Sequence, residues 1–188
     1  MEFKNLVKKR RSVRRYSSSK PDWRKIIRAI DAARYAPLAG NMMNLRFILV
    51  SDKEKIKQLA EASQQDFVGK VDYIVVVVSD DSRLIQSYDE LGAKFARQQS
   101  GAAIQNFLLA LVDLGLATCW VGYFDDTEIK RVLEIPEEVV VEAIFPIGKE
   151  TKIKTSEKRK VDLDNVLYFD KWENKKMVPL TRMRIRDV

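Results

Sequence analysis

The chain of 188 residues has no histidine and a single cysteine, Cys119. Without histidine there is no Ser-His-Asp or Cys-His relay and no imidazole ligand for a metal. One cysteine excludes an internal disulfide and a thiolate zinc cluster, and a reducing compartment is the simplest expectation. No apolar stretch follows the early charges, so no signal peptide is read. No apolar run reaches the ~18 to 20 residues that a membrane helix requires. A soluble, cytoplasmic protein that is not membrane-bound is therefore expected. If such a chain is an enzyme, it works through carboxylates, lysines and backbone groups, or it takes its chemistry from a cofactor.

What is present points to one globular domain. Hydrophobic residues make up 46% of the chain, and 34 basic against 27 acidic residues leave a formal charge of +7. That length supports a substantial core, and the basic balance favours anionic partners without choosing among them. No repeat and no linker is evident, so residues 1–188 are read as one domain.

Residues 22–36, "DWRKIIRAIDAARYA", place Trp23, Ile26, Ile27, Ile30 and Ala33 at helical spacing behind a capping Asp22, with Pro37 after them. "LRFILVS" (45–51) reads as a strand, and Asp52 as the cap of a charged helix through Ala62. The β-branched run "YIVVVVS" (73–79) predicts a strand covered on both faces. Residues 82–101 are more polar, either helical or a mobile excursion. "AAIQNFLLALVDLGL" (102–116) is apolar around most of its circumference, which predicts a helix buried on nearly all sides, in a core or at a subunit interface. Gly115 suits its C′ position. Residues 117–124 read as strand and turn, "DDTEIKRVLEI" as a capped short helix, and 139–148 as another buried strand. Beyond Gly148 the chain turns basic and loop-like. Too few βαβ units occur in order for a doubly wound sheet, so the fold class is α+β with a mixed sheet.

The densest charge lies at the start, in "KKRRSVRRY" (8–16). It begins on a short amphipathic helix carrying Phe3, Leu6 and Val7. Arg10, Arg11 and Arg14 need not share one face, which suits a clamp around a compact anion better than a stripe along a duplex. Arginine forks and the Ser12 hydroxyl are apt donors to phosphate. A solvated basic face and a nucleic-acid arm are the alternatives, the latter without interleaved aromatic residues.

"RRSVRRY" resembles the N-terminal signature of the nitroreductase family of flavin enzymes. Three further stretches resemble that family in its order: "ARYAPLAGNMMNLRFILV", "GAAIQNFLLALVDLGLATCWVGYF", and "FPIGKE" followed by "EKRKVDLDNVLYFDKW". The resemblance spans roughly residues 3–172. It implies a largely antiparallel central sheet flanked by helices, with the long central helix at a homodimer interface and a C-terminal arm, about 173–188, packing on the partner subunit. It implies flavin mononucleotide (FMN) bound at the subunit interface, NADH or NADPH as electron donor, and a small flat acceptor, a nitroaromatic or a quinone. Arg10, Arg11, Ser12 and Arg14 match the first motif, with Arg10 at the flavin phosphate and Arg14 at the pyrimidine edge. Pro37, Leu38, Ala39 and Asn41 match the loop that reaches the flavin of the other subunit. Val121 and Gly122 match the turn whose N–H approaches flavin N5, Lys158 and Arg159 the late phosphate contact, and Gln65 an amide facing the ring.

No side chain then needs to act as acid, base or nucleophile, and no metal is expected. The chain departs from the family pattern where Met43-Asn44-Leu45 stand for Gln-Pro-Trp and Leu38 for serine, so Met42, Met43 and Asn44 are expected on the substrate side. Reductive dehalogenation and flavin fragmentation are alternatives within the same fold. Trp120 reads as core packing, and Cys119 as a small buried apolar residue.

Overall fold

A computed structural model describes residues 2–151 and 161–177. Two compact units are distinguished, Met1–Ile153 and Lys154–Val188. Among the described residues of the second unit none is buried. It contains a short 3-10 turn, Leu163–Asn165, and a Tyr168–Trp172 ring contact at 4.9 Å with the Lys175 ammonium over Tyr168.

The first unit holds six helices and four strands among its described residues. In chain order they are α1 (Phe3–Lys9), α2 (Trp23–Ala33), β1 (Leu45–Val50), α3 (Lys53–Ser63), β2 (Tyr73–Ser79), α4 (Ser82–Tyr88), α5 (Glu90–Asp113), β3 (Ala117–Thr118), α6 (Asp126–Leu133) and β4 (Val140–Gly148). The strands form one sheet in the order β1-β2-β4-β3, with every pairing antiparallel. The expected caps are in place: Asp22, Asp52 and Asp125 accept from the backbone N–H of Arg24, Lys55 and Glu128. Each such cap stabilises its helix by about 1 kcal/mol. Gly115 takes φ +75° after α5, as a C′ glycine does.

Strand alternation sorts the core into two layers. Val75, Val77, Ala143, Phe145 and Ile147 face α2 and α5, where Ile26, Ala29, Ile104, Phe107 and Leu111 meet them. Ile74, Val76, Val78, Val141 and Ile144 face α3 and α6, against Ile56, Leu59, Ile129 and Val132. Every residue of β2 is buried, as its unbroken apolar run predicts. Each fully buried Val or Ile contributes about 1.5–3 kcal/mol.

Two elements differ from expectation. α5 starts twelve residues before the predicted 102, because Gly92 lets α4 and α5 close on one another. A Cβ there would stand 2.5 Å from the Leu84 carbonyl oxygen. The strand expected over 117–124 shrinks to Ala117–Thr118 plus an isolated pairing of Val121 with Ile144. Between these, the neighbouring place is taken by the arginine-rich segment.

A bulge in the β2–β4 register adds a third feature: Val77 faces Ala143 but Val78 faces Val141. The extra residue is Glu142, which bonds Ser79 Oγ at 2.7 Å and pairs with Arg97. Bulges re-aim a side chain in this way.

Candidate functional site

The arginine-rich segment leaves α1 in extended conformation, starting at Arg10 (φ −61°, ψ 124°). It lies along the sheet as an added strand. Val13 N–H donates to Thr118 O (2.9 Å), Ser17 N–H to Lys149 O (2.8 Å), and Tyr16 pairs antiparallel with Glu150. Extended backbone alternates its side chains. Val13 turns into the protein, and Arg11 pairs with Glu150 at 2.7 Å. Arg10, Ser12 and Arg14 therefore share the opposite side. Among the described residues their polar side-chain atoms make no hydrogen bond or ion pair, and the Arg14 guanidinium stands 5.9 Å from the Phe67 ring. Of the four residues read from this motif, three remain available to an anion and Arg11 is committed to Glu150.

Tyr16 anchors the strand. Its hydroxyl lies 2.6 Å from Val13 O and 3.2 Å from Pro146 O, and its ring covers Gly148. Burial, with Cys119 beside it, pushes the phenol well above the ordinary tyrosine range, so it stays a neutral donor. Cys119 itself is buried, as expected of a small apolar residue.

Beside this strand, Val121 exchanges both backbone hydrogen bonds with Ile144 at 3.0 Å. Pairing stops there. The next residue, Gly122, is exposed, and no hydrogen bond among the described residues uses its N–H. The Trp120 indole flanks it, 41% exposed, with one edge on Phe145 at 5.6 Å. Trp120 is thus only partly core. Gln65 opens the 3-10 turn Asp66–Gly69, whose Phe67 ring faces the Arg14 guanidinium. Gln65 also lines a groove of about 780 Å³ with Tyr16 and Gly148.

The third group sits elsewhere. Leu45 pairs with Ser79 at one end of β2, whereas Tyr73 at the other end pairs with Ile147, next to Gly148 and Tyr16. Strand rise puts those ends about 20 Å apart. One chain therefore does not bring Pro37, Leu38, Ala39 and Asn41 to Arg10, Ser12 and Arg14. The loop turns through Gly40 (φ 55°) and Asn41 (φ 56°), leaving Asn41 exposed at its tip.

Two of the three substrate-side candidates are buried in this chain. Met42 is 9% exposed and packs on Leu84 and Ala96, while Asn44 is 4% exposed. The Asn44 amide donates to Asp81 Oδ1 (2.9 Å) and accepts from Gln99 Nε2 (2.6 Å), so it has no free edge to offer a substrate. The cause is the buried acceptor and donor pair, Asp81 and Gln99. An apolar residue at 44 would deprive each of one bond, while Asp81 keeps Arg97 and Gln99 keeps the 39–42 turn. Met43 is half-buried against the α5 layer. Gln99 itself was missed by the sequence reading. Its signal was a polar residue on the buried stripe Ala96, Ser100, Ala103, Phe107 of α5. Lys158 and Arg159, and residues 178–188 of the expected C-terminal arm, lie outside the described residues.

Comparison with known proteins places this arrangement among others. The model of the nitroreductase family matches residues 7–67 and 60–149. A candidate NADH dehydrogenase/NAD(P)H nitroreductase of Archaeoglobus fulgidus is 31% identical over 152 residues, covering 78% of this chain and 84% of that protein. The iodotyrosine deiodinase of Thermotoga neapolitana is 28% identical over 160 residues, covering 77% and 86%. A nitroreductase family crystal structure from Clostridium difficile 630 superposes with a TM-score of 0.79 at 27% identity, covering 92% of this chain and all of that one.

Proposed function

The chain belongs to the nitroreductase family, and from that premise we propose that it is an FMN-dependent oxidoreductase acting between NADH or NADPH and a flat acceptor, a nitroaromatic or a quinone. The observation that carries this reading is the face of the added strand. Among the described residues Arg10, Ser12 and Arg14 line one side of it without partners for their polar side-chain atoms, and no hydrogen bond uses the neighbouring Gly122 N–H. These residues fit the group. A phosphate dianion takes charge-assisted hydrogen bonds from arginine, each contributing about 1.5–3 kcal/mol, and an exposed backbone N–H suits a ring nitrogen that accepts. The family pattern adds Lys158 and Arg159, which lie outside the described residues, as further phosphate-binding candidates.

When bound, FMN supplies hydride transfer, which is why the chain needs no histidine, metal or reactive thiol. The protein's own part is to hold and orient. Arg10 and Ser12 fix the phosphate end. Arg14 sets positive charge at the opposite end and favours electron-rich forms of the ring. Val121, locked to Ile144 in both directions, aims the Gly122 N–H.

The site is completed by a second copy. Asn41 and the loop from Pro37 stand at the far end of the sheet from Arg10, so a homodimer with FMN at the interface is the arrangement that joins them. α5 also keeps Asn106, Leu109, Ala110 and Val112 only half covered in one chain. Among the described residues no helix is long and apolar enough to cross a membrane. The proposal includes a cytoplasmic location, a small-molecule acceptor and no nucleic-acid partner. With Arg11 paired to Glu150 and Arg10, Ser12 and Arg14 on one side of a short extended segment, the charge is arranged for a compact anion rather than a duplex.

Similarity to a deiodinase favours reductive dehalogenation as the second reading. Steady-state kinetics, on protein whose mass has been fixed by sedimentation, test the first. The expected result is a particle of two chains with parallel double-reciprocal lines for NADH and p-benzoquinone. A fully active monomer, or turnover confined to halogenated phenols, overturns it.

A further inference from the structure

The turn Ala39–Asn41 runs through two successive left-handed residues, Gly40 at φ 55° and Asn41 at φ 56°, residue types that tolerate this region. Its place against the rest of the fold depends on what holds it. What holds it is one side chain from α5. Gln99 Oε1 accepts from Ala39 N–H (3.1 Å), and Gln99 Nε2 donates to Met42 O (2.8 Å) and to Asn44 Oδ1 (2.6 Å). One amide thus grips the turn at both ends. It is 4% exposed, and Asn44 ties it onward to Asp81 and Ser100.

The remaining bonds of the turn are internal. Asn41 N–H donates to Leu38 O and Met42 N–H to Ala39 O. Among the described residues nothing bonds the Gly40 N–H or the Asn41 side-chain amide, and both residues are exposed. The inward groups are thereby bonded and these two donors are left facing out. Gly40 also has no room for a side chain, because a Cβ would meet Met42 Cε and the Tyr88 hydroxyl at 2.8 Å.

We propose that Gln99 is a positioning residue for the cofactor: its amide sets the turn so that Gly40 N–H and the Asn41 amide face the flavin held across the dimer. The assignment rests on the flavin reading above. It requires an amide specifically, since the side chain must accept at one atom and donate at the other. Methionine fills the space and does neither. Glutamate keeps the acceptor for Ala39 and turns a second oxygen on Met42 O and Asn44 Oδ1.

The test compares Gln99→Met, Gln99→Glu and Ser79→Ala holoproteins. Ser79 belongs to the same polar cluster, bonding Glu142 and Arg97, but does not touch the turn. Release of FMN on dilution is followed by flavin fluorescence, and KM for p-benzoquinone is measured on flavin-replete protein. Both Gln99 variants should release FMN about tenfold faster and raise KM severalfold, with Ser79→Ala within twofold of wild type. A purely structural loss lowers the flavin-bound fraction, and kcat with it, but leaves KM in place. Gln99 variants within twofold on both readouts, or a Ser79 variant that matches them, overturn the assignment alone. A wild-type protein that takes up no FMN overturns the flavin reading and this assignment together.

Discussion

Gly148→Ala should cost the protein about 2–4 kcal/mol and most of its ability to retain FMN. The added Cβ would stand 2.5 Å from Tyr16 Cδ1, 2.8 Å from Cγ and 2.9 Å from Cβ. Contacts that short are relieved only by movement. Gly148 cannot give way easily, because it is buried and pairs with Ala117 across the sheet. Tyr16 must leave instead, and its hydroxyl then loses Val13 O and Pro146 O. Overpacking of this kind costs about 1–3 kcal/mol, and loss of the single hydroxyl proton's shared hydrogen bond about 1 more. For a chain of this length the total corresponds to a fall of roughly 5–15 °C in the melting midpoint.

The functional loss exceeds the loss of stability. The Tyr16–Glu150 pairing is what lays the strand against β4, so displacing the ring shifts Arg10, Ser12 and Arg14 as a unit. A double-mutant cycle isolates the cause: in a Tyr16→Ala background the same glycine substitution should cost little further. Equal costs in both backgrounds would assign the effect to something other than the ring.

Arg10→Ala should weaken FMN binding ten- to a hundredfold, whereas Lys8→Ala should change it less than twofold at physiological salt. The two residues carry the same charge two positions apart, and only their surroundings differ. Lys8 is exposed in the last turn of α1, where solvent and salt screen it. Arg10 is half-buried at the start of the extended strand. Loss of a charge-assisted contact of about 1.5–3 kcal/mol translates into that range of affinity. Arg10→Lys should fall between, because an ammonium keeps the charge and loses the planar fork. Titration of apoprotein with FMN, followed by quenching of flavin fluorescence, reads all three. If Lys8→Ala and Arg10→Ala weaken binding alike, the cluster acts as a diffuse patch and the alternation carries no meaning.

Where local pattern decided structure, the sequence was readable. The bounds of β2 follow from an uninterrupted β-branched run, and the starts of α2, α3 and α6 from Asp caps. Where structure came from contacts distant in sequence, it was not. α5 reaches back to Glu90 through a stretch containing Gly92, Gln99 and Ser100, whose polarity hid a helix stabilised by tight α4 packing and a buried hydrogen-bond cluster. The separation of Arg11 from its neighbours needed Glu150, 139 positions later, to become visible. Asn44 was read as a substrate-side candidate for the same reason. Its partners Asp81 and Gln99 come from α4's cap and α5, which no local spacing relates to residue 44.

The central claim is that this chain holds a flavin and reduces it with a nicotinamide. An anaerobic absorption spectrum of the purified protein, reconstituted with FMN if needed, tests that claim most directly. The account predicts a yellow protein whose flavin absorption bleaches when NADH or NADPH is added. A colourless protein that takes up no FMN, or a bound flavin that neither nicotinamide bleaches, would contradict it.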